Sequence, residues 1–263
     1  MIDGRAIIDP TATLGENVSV GPWSIIGPNV VLEDNVEIAS HVVVKGPTRL
    51  GRGVKIFQFA TVGEDTPALA YAGEDSTLDI GENTVIREGV TIHRGMAQGG
   101  ISKTQIGKNC LLMAYVHIGH DCVVGDHVMM ANNASVVGHV TVGDYANFGG
   151  YSGIPQFRSV GAFTHIAAMS LVLKDVPAYM TVTGNPAYAA GLNIEGMKRR
   201  NYEKDTIRAV RTAYKTVYRQ GLTVAEALEK LGSERQQYPE VELFLSSVES
   251  SEWGIIRGRG AGG

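Results

Sequence analysis

From Ile8 the chain carries a branched aliphatic residue at every sixth position: Leu14, Val20, Ile26, Leu32, Ile38, Val44, Leu50, Ile56 and Val62 follow in step. The series resumes at Ile80, Ile86 and Ile92. It resumes again from Ile106 through Leu112, Ile118, Val124, Met130, Val136, Val142, Phe148, Ile154, Val160 and Ile166 to Val172. A period of six matches neither a helix nor a long strand. It is the period of a parallel β-helix, in which each hexad supplies one short strand and one corner. Three hexads close a coil of about 18 residues, and coils stack about 4.8 Å apart as parallel strands. One aliphatic side chain per hexad then points inward, each burial contributing about 1.5–3 kcal/mol. Glycine often follows the aliphatic residue, as at Gly15, Gly21, Gly107, Gly119, Gly125 and Gly143. These glycines mark corners where a side chain would crowd or φ is unusual.

Two segments break the period: Glu64 to Leu78, and Arg94 to Gln105, which holds Gly95, Gly99 and Gly100. Long loops in a regular solenoid commonly border a binding face. After Pro177 the hexads stop. Ile207, Val210, Tyr214, Val217 and Tyr218 share one helical face that Gly221 ends. Thr223 to Glu226 is a capping box opening a second helix, and Glu240 to Val248 is a third amphipathic stretch. The tail from Gly258 to Gly263 is expected to fray. The pattern therefore predicts a mainly β chain, with a β-helix over 1–190 and a C-terminal α-helical domain over 191–263.

Composition narrows the function. The net charge of −4 gives no basic field for nucleic acid. No apolar stretch suits a signal peptide or a membrane span, so a cytoplasmic protein is expected. Cys110 and Cys122 form no disulfide framework and read as small buried residues.

The chemistry concentrates between Val116 and Cys122, which holds His117, His120 and Asp121. Stacking by 18 sets His120 beside Gly138, Gly138 beside Gln156, Asp121 beside His139 and His117 beside Ser135. An imidazole, a backbone N–H bare of side chain and a carboxylate then share one patch. Those are the parts an acyl transfer to an alcohol or amine needs: a base, an oxyanion donor and a group that orients the base. A zinc site on His117, His120 and His139 is the rival chemistry. Polar residues that merely bond one another on an outer face are the third reading. His41, His93, His127 and His165 have no comparable neighbours by this arithmetic and read as surface or edge histidines.

The motifs reached so far resemble a known family. V-T-I-H-R-G (Val90 to Gly95), H-I-G-H-D-C (His117 to Cys122), A-N-N-A (Ala131 to Ala134), G-H-V (Gly138 to Val140), D-V-P-A-Y (Asp175 to Tyr179), G-N-P-A (Gly184 to Ala187) and N-I-E-G-M-K-R-R (Asn193 to Arg200) together resemble the UDP-N-acetylglucosamine O-acyltransferases of lipid A synthesis. The resemblance implies a left-handed parallel β-helix, a homotrimer with sites between subunits and no cofactor. The donor would be an acyl carrier protein thioester carrying a (3-hydroxy)acyl group. It makes His120 the base, Asp121 the acid beside it and Gly138 the oxyanion glycine. Tyr71, His117, His139, Gln156, Asn193, Glu195 and Arg199 would contact the acceptor, and Ala168 would set acyl length. Arg199 and Arg200 would dock the carrier.

Two departures stand out. The family's D-L-K-Y is here Ala68-Leu69-Ala70-Tyr71, and its V-H-Q-F is Ile154-Pro155-Gln156-Phe157. A charged contact to the acceptor, about 1.5–3 kcal/mol, is lost with the lysine. A paralogue acylating another nucleotide sugar or an amine is the main alternative. A metal-dependent hydratase and a carrier-binding scaffold without turnover are the others.

Overall fold

A computed structural model describes residues 1–259. The hexads fold into short strands that stack in three parallel sheets, the faces of a triangular prism. Face I runs from Ile7–Ile8 to Gly153–Ile154, face II from Thr13–Leu14 to Ser159–Val160, and face III from Ser19–Val20 upward. The chain visits them in the order I, II, III. Partner residues in undisturbed coils are 18 apart, as Glu16 and Asp34 are. His117 pairs with Ser135 and Ser135 with Gly153 on face I. The stacking arithmetic therefore holds where no loop intervenes, up to the last coil, in which His165 pairs with Thr181, 16 residues on.

The aliphatic series is the core. From Val20 to Val172 its members are all buried, and only Ile8 and Leu14, in the open first coil, are partly exposed. A second inward position, two residues earlier, was not anticipated from sequence. It carries small side chains: Val18, Ser24, Val30, Val36, Ala134 and Ala146 are buried there. Cys110 and Cys122 occupy this same position, buried and free. A coil is narrow, so one large and one small inward residue per hexad fill its section.

The corners divide their work between two residues. The glycine after the aliphatic residue is a matter of crowding: a Cβ on Gly15 would lie 2.7 Å from the Asp34 amide nitrogen. The left-handed conformation falls two residues later, on Asn17, Trp23, Asn29, Asn109, Asp121, His127 and His139 among others. A positive φ at Asp121 and His139 thus belongs to the repeat and is no special strain of the site.

Face III continues past the hexads. Met180–Gly184 pairs in parallel with His165–Ile166, and Ala187–Leu192 returns antiparallel to it. This hairpin was not anticipated in the stretch between Pro177 and Gly191, and its second strand runs two residues beyond 190, where the helical domain was expected to begin. Among the described residues five helices follow: α1 Ile194–Arg199, α2 Lys204–Arg219, α3 Val224–Lys230, α4 Gly232–Gln237 and α5 Pro239–Glu249. The Thr223–Glu226 capping box is formed, with both reciprocal bonds present. Lys198 and Arg199 lie in the last turn of α1, where their charge suits the helix dipole. The chain then returns to the prism: Ile256 N–H donates to the Asp175 carbonyl, and Ile255 and Ile256 join the core. One continuous core spans prism and helices. Of the tail expected to fray, Gly260 to Gly263 lie outside the described residues. No helix among the described residues is long and apolar enough to cross a membrane.

Candidate active site

Both period-breaking loops leave the same prism edge, between faces I and II. The first links Thr61–Glu64 to Thr77–Ile80, the second Thr91–His93 to Lys103–Ile106. Along that edge the next corners hold His120 and Asp121, then Gly138 and His139, then Gln156 and Phe157. The loops therefore lie directly beside the histidine corner.

His120 Nδ1 is 2.7 Å from Asp121 Oδ2. An ionised carboxylate only accepts, so Nδ1 carries the proton and the lone pair of the neutral ring sits on Nε2. That nitrogen faces Gly138: a Cβ built there would lie 2.5 Å from it. The Gly138 N–H donates to no acceptor among the described residues. The slot explains why. It lies two residues past the inward aliphatic, beyond the ladder, and Pro28 fills its equivalent in an early coil. Proline is tolerated where no N–H is needed. A bare amide and a basic nitrogen thus meet at one corner.

Asp121 is fixed from every side. Its side chain is fully buried, and its carboxylate accepts from the amides of Met96 (3.1 Å) and Ile101 (2.8 Å). Its own N–H donates to Thr104 Oγ1 at 2.9 Å. The His139 ring meets His120 edge-on at 4.8 Å and stacks on Phe157 at 4.5 Å. Burial, against the pull of Asp121 and with help from His120, keeps the His139 imidazole below its ordinary value. Burial first, then His93 and His120, lowers His117 likewise. Both rings are thus held toward the neutral, hydrogen-bonding form.

The three imidazoles of the zinc reading do not assemble. The metal-capable groups that come together are His120, Asp121 and His139, while His117 is hydrogen-bonded to Thr91 Oγ1 at 2.9 Å. Asp121 occupies the Nδ1 end of His120, opposite Nε2, so one ion cannot take both the carboxylate and Nε2. The arrangement serves proton transfer better than coordination.

His93 corrects the sequence reading. It packs against His117 at 5.4 Å, and its Nδ1 donates to the Asp65 carbonyl. The arithmetic missed it because the coil containing the second loop is longer: Thr91 and His117 stand 26 apart. Arg94 was also missed. It is buried, paired with Asp65 and bonded to the Gly63 carbonyl, and it reaches the Tyr71 hydroxyl at 3.4 Å. The only signal was the His-Arg pair opening a glycine-rich loop.

The remaining residues lie on other sides of the prism. Asn193 caps α1 and also donates to the Phe163 carbonyl. With Arg199 it lines a cavity beside His165 on face III, which Glu195 also borders. His165, read from sequence as an edge residue, is thereby a cavity residue, lowered by burial and by Arg199. Glu195 is paired with Lys198 at 2.8 Å. Arg200 lies over Tyr145 and Phe163 at the edge between faces II and III. Ala168 is exposed at the third edge. Within one chain, His120 and Arg199 do not share a cleft.

A family description reading "Udp N-acetylglucosamine O-acyltransferase; Domain 2" matches residues 175–256, and the bacterial transferase hexapeptide repeat matches 11–46 and 103–138. The chain is 52% identical over 257 residues to the acyl-[acyl-carrier-protein]–UDP-N-acetylglucosamine O-acyltransferase of Stutzerimonas stutzeri, covering 98% of this chain and 99% of that one. It is 54% identical to the enzyme of the same name from Azotobacter vinelandii, with the same coverage. The fold superposes on LpxA from Acinetobacter baumannii with a TM-score of 0.95 at 48% identity, covering 97% and 99% of the two chains. For the Moraxella catarrhalis enzyme the TM-score is 0.96 at 42% identity, with the same coverage. The prism is therefore the left-handed form, an exception to right-handed crossovers. Likeness of this extent, over prism, loops and helices together, leaves one assignment: the chain belongs to the UDP-N-acetylglucosamine O-acyltransferase family.

Proposed function

We propose that this protein moves an acyl group from an acyl carrier protein thioester to the 3-hydroxyl of UDP-N-acetylglucosamine, the opening step of lipid A synthesis. The observation that carries the chemistry is the His120 ring, tied to Asp121 at Nδ1 and facing Gly138 with Nε2. Nε2 takes the proton as the sugar hydroxyl attacks the thioester carbonyl, worth typically about 10²–10⁴-fold. The free Gly138 N–H receives the oxyanion, worth about 2.7–4 kcal/mol. Asp121 steadies the imidazolium. Collapse of the intermediate breaks the C–S bond, and the carrier thiolate recovers the proton from Nε2.

His117 and His139, held neutral, offer hydrogen bonds to the acceptor beside the base, and Gln156 and Tyr71 flank them. Asn193, Glu195 and Arg199 belong to the nucleotide, Arg199 and Arg200 to the carrier, and Ala168 to the end of the acyl groove. These residues lie on other sides of the prism from His120, so a neighbouring copy supplies them: a homotrimer with shared sites, working in the cytoplasm.

The full-length relatives named for UDP-N-acetylglucosamine favour that acceptor over another nucleotide sugar or an amine. Ala68 and Ala70 then leave Tyr71 and the loop backbone to hold it. The test is a direct assay of purified protein with acyl carrier protein thioesters. Acylated UDP-N-acetylglucosamine is the expected product. Turnover only on other acceptors, or none at all, overturns the proposal.

A further inference from the structure

The glycine-rich loop after Arg94 has no part in the mechanism above, yet it is built around the carboxylate. Met96 and Ile101 both aim their amides at Asp121, at 3.1 and 2.8 Å. The loop closes on itself through Ser102 N–H to the Met96 carbonyl at 3.0 Å. Gly100 is crowded by the loop and by the same group: a Cβ there would clash with the Met96 carbonyl oxygen and would lie 2.5 Å from Asp121 Oδ1 and 2.6 Å from Cγ. A side chain at 100 and the carboxylate in its present place exclude each other. Ala97 N–H in turn donates to Glu74 Oε1 at 3.2 Å, fastening this loop to the one that carries Tyr71.

Asp121 needs this support because its own backbone cannot orient it. The side chain leaves a left-handed corner, where φ is +57°. The corner fixes where Cβ points, and only contacts beyond it choose how the carboxylate turns. Oδ1 is taken by the Ile101 amide, while Oδ2, which also accepts from the Met96 amide, faces His120 Nδ1. Backbone amides in a folded loop make a rigid cradle, and a small displacement of a group one bond away from the base is costly.

We infer that the Met96 and Ile101 amides and the side-chain-free Gly100 form a positioning element for the base, setting the Asp121 carboxylate against His120. Gly100 acts through Asp121 and touches no substrate. This rests on the acyl-transfer reading, which fails separately if the unmodified protein has no activity.

The test is a double-mutant cycle on the active protein. Gly100→Ala lowers kcat by about 10²-fold, with KM for both substrates within about threefold, since orientation and not binding is lost. Gln98→Ala, exposed on the same loop, keeps the unmodified kcat. In an Asp121→Gly background, which keeps the corner conformation and removes the carboxylate that the loop positions, adding Gly100→Ala lowers kcat no further, although the crowding against the Met96 carbonyl remains. Equal losses in both backgrounds, or unmodified kcat in Gly100→Ala alone, overturn the inference. Hydrogen exchange gives a second reading that does not depend on how Gly100→Ala folds. Asp121→Gly should strip protection from the Met96 and Ile101 amides, and unchanged protection there also overturns it.

Discussion

Nothing larger than hydrogen fits on the α-carbon of Gly138, because His120 Nε2 lies 2.5 Å from the place a Cβ would take. The two residues are one coil apart, and each defines the other's environment. The ring blocks a side chain, and the missing side chain exposes the amide to whatever the ring activates. Gly138→Ala must turn the imidazole off the site or shift the corner. Its expected cost is about 10²-fold or more in kcat, because base and oxyanion donor are disturbed together. Steady-state kinetics beside a thermal melt checks this. Near-normal turnover in a folded variant would show that the reacting atoms sit elsewhere.

His120→Ala is expected to abolish measurable transfer while leaving the molecule folded. The side chain lies on the outside of a corner, and the inward neighbours Ile118 and Cys122 that hold the coil are untouched. Circular dichroism and an acyl-transfer assay on one preparation separate the two effects. Loss of fold together with activity would make the residue structural.

Acid should weaken the fold through its half-buried imidazoles. His117, His139 and His165 all have folded-state values below the ordinary 6.5, with burial the first cause in each. In the window below 6.5 the unfolded chain binds more protons than the folded one, so stability rises with pH there and is complete above it. Denaturant midpoints at pH 5.5 and 7.5 should differ in that direction. His117→Gln, which removes one of the three groups, should narrow the difference. Equal midpoints would mean that these rings are solvated.

The cysteines should be silent in the native protein. Burial pushes the Cys110 thiol up to about 11 and the Cys122 thiol up to about 12, and both sit in the inward small-residue position. Neither a thiolate nor an entry path is then available at neutral pH. A thiol-specific reagent should titrate none in the native state and two after denaturation. Rapid native labelling would show that the coil opens.

A core substitution gauges how the prism is held. Ile118 lies fully buried between Ile92 and Val136, directly inside the histidine corner. Ile118→Ala should cost about 2–5 kcal/mol, measured by denaturant unfolding. A loss well under 1 kcal/mol would mean that adjacent coils close the gap.

The period of six, taken with three hexads to a coil, determined the prism, the larger of its two inward residues per hexad and the pairing of His120 with Gly138. Those follow from local geometry repeated without error, so counting suffices. The capping box of α3 was legible for the same reason, being wholly contained in four residues. Counting failed where the chain left the repeat. His93 came to His117 only because a coil lengthened by the second loop shifted the register, and no period encodes the length of a loop. The clasp of Met96 and Ile101 on Asp121 is made by backbone amides, which every residue carries and no letter of the sequence announces. The hairpin on face III joins the sheet by an antiparallel return that breaks the hexad. Its strands exist because the last coil offers an open edge to pair with. Repetition wrote the scaffold into the sequence. The support of the base came from contacts between loops and corners, which exist only once the chain has closed.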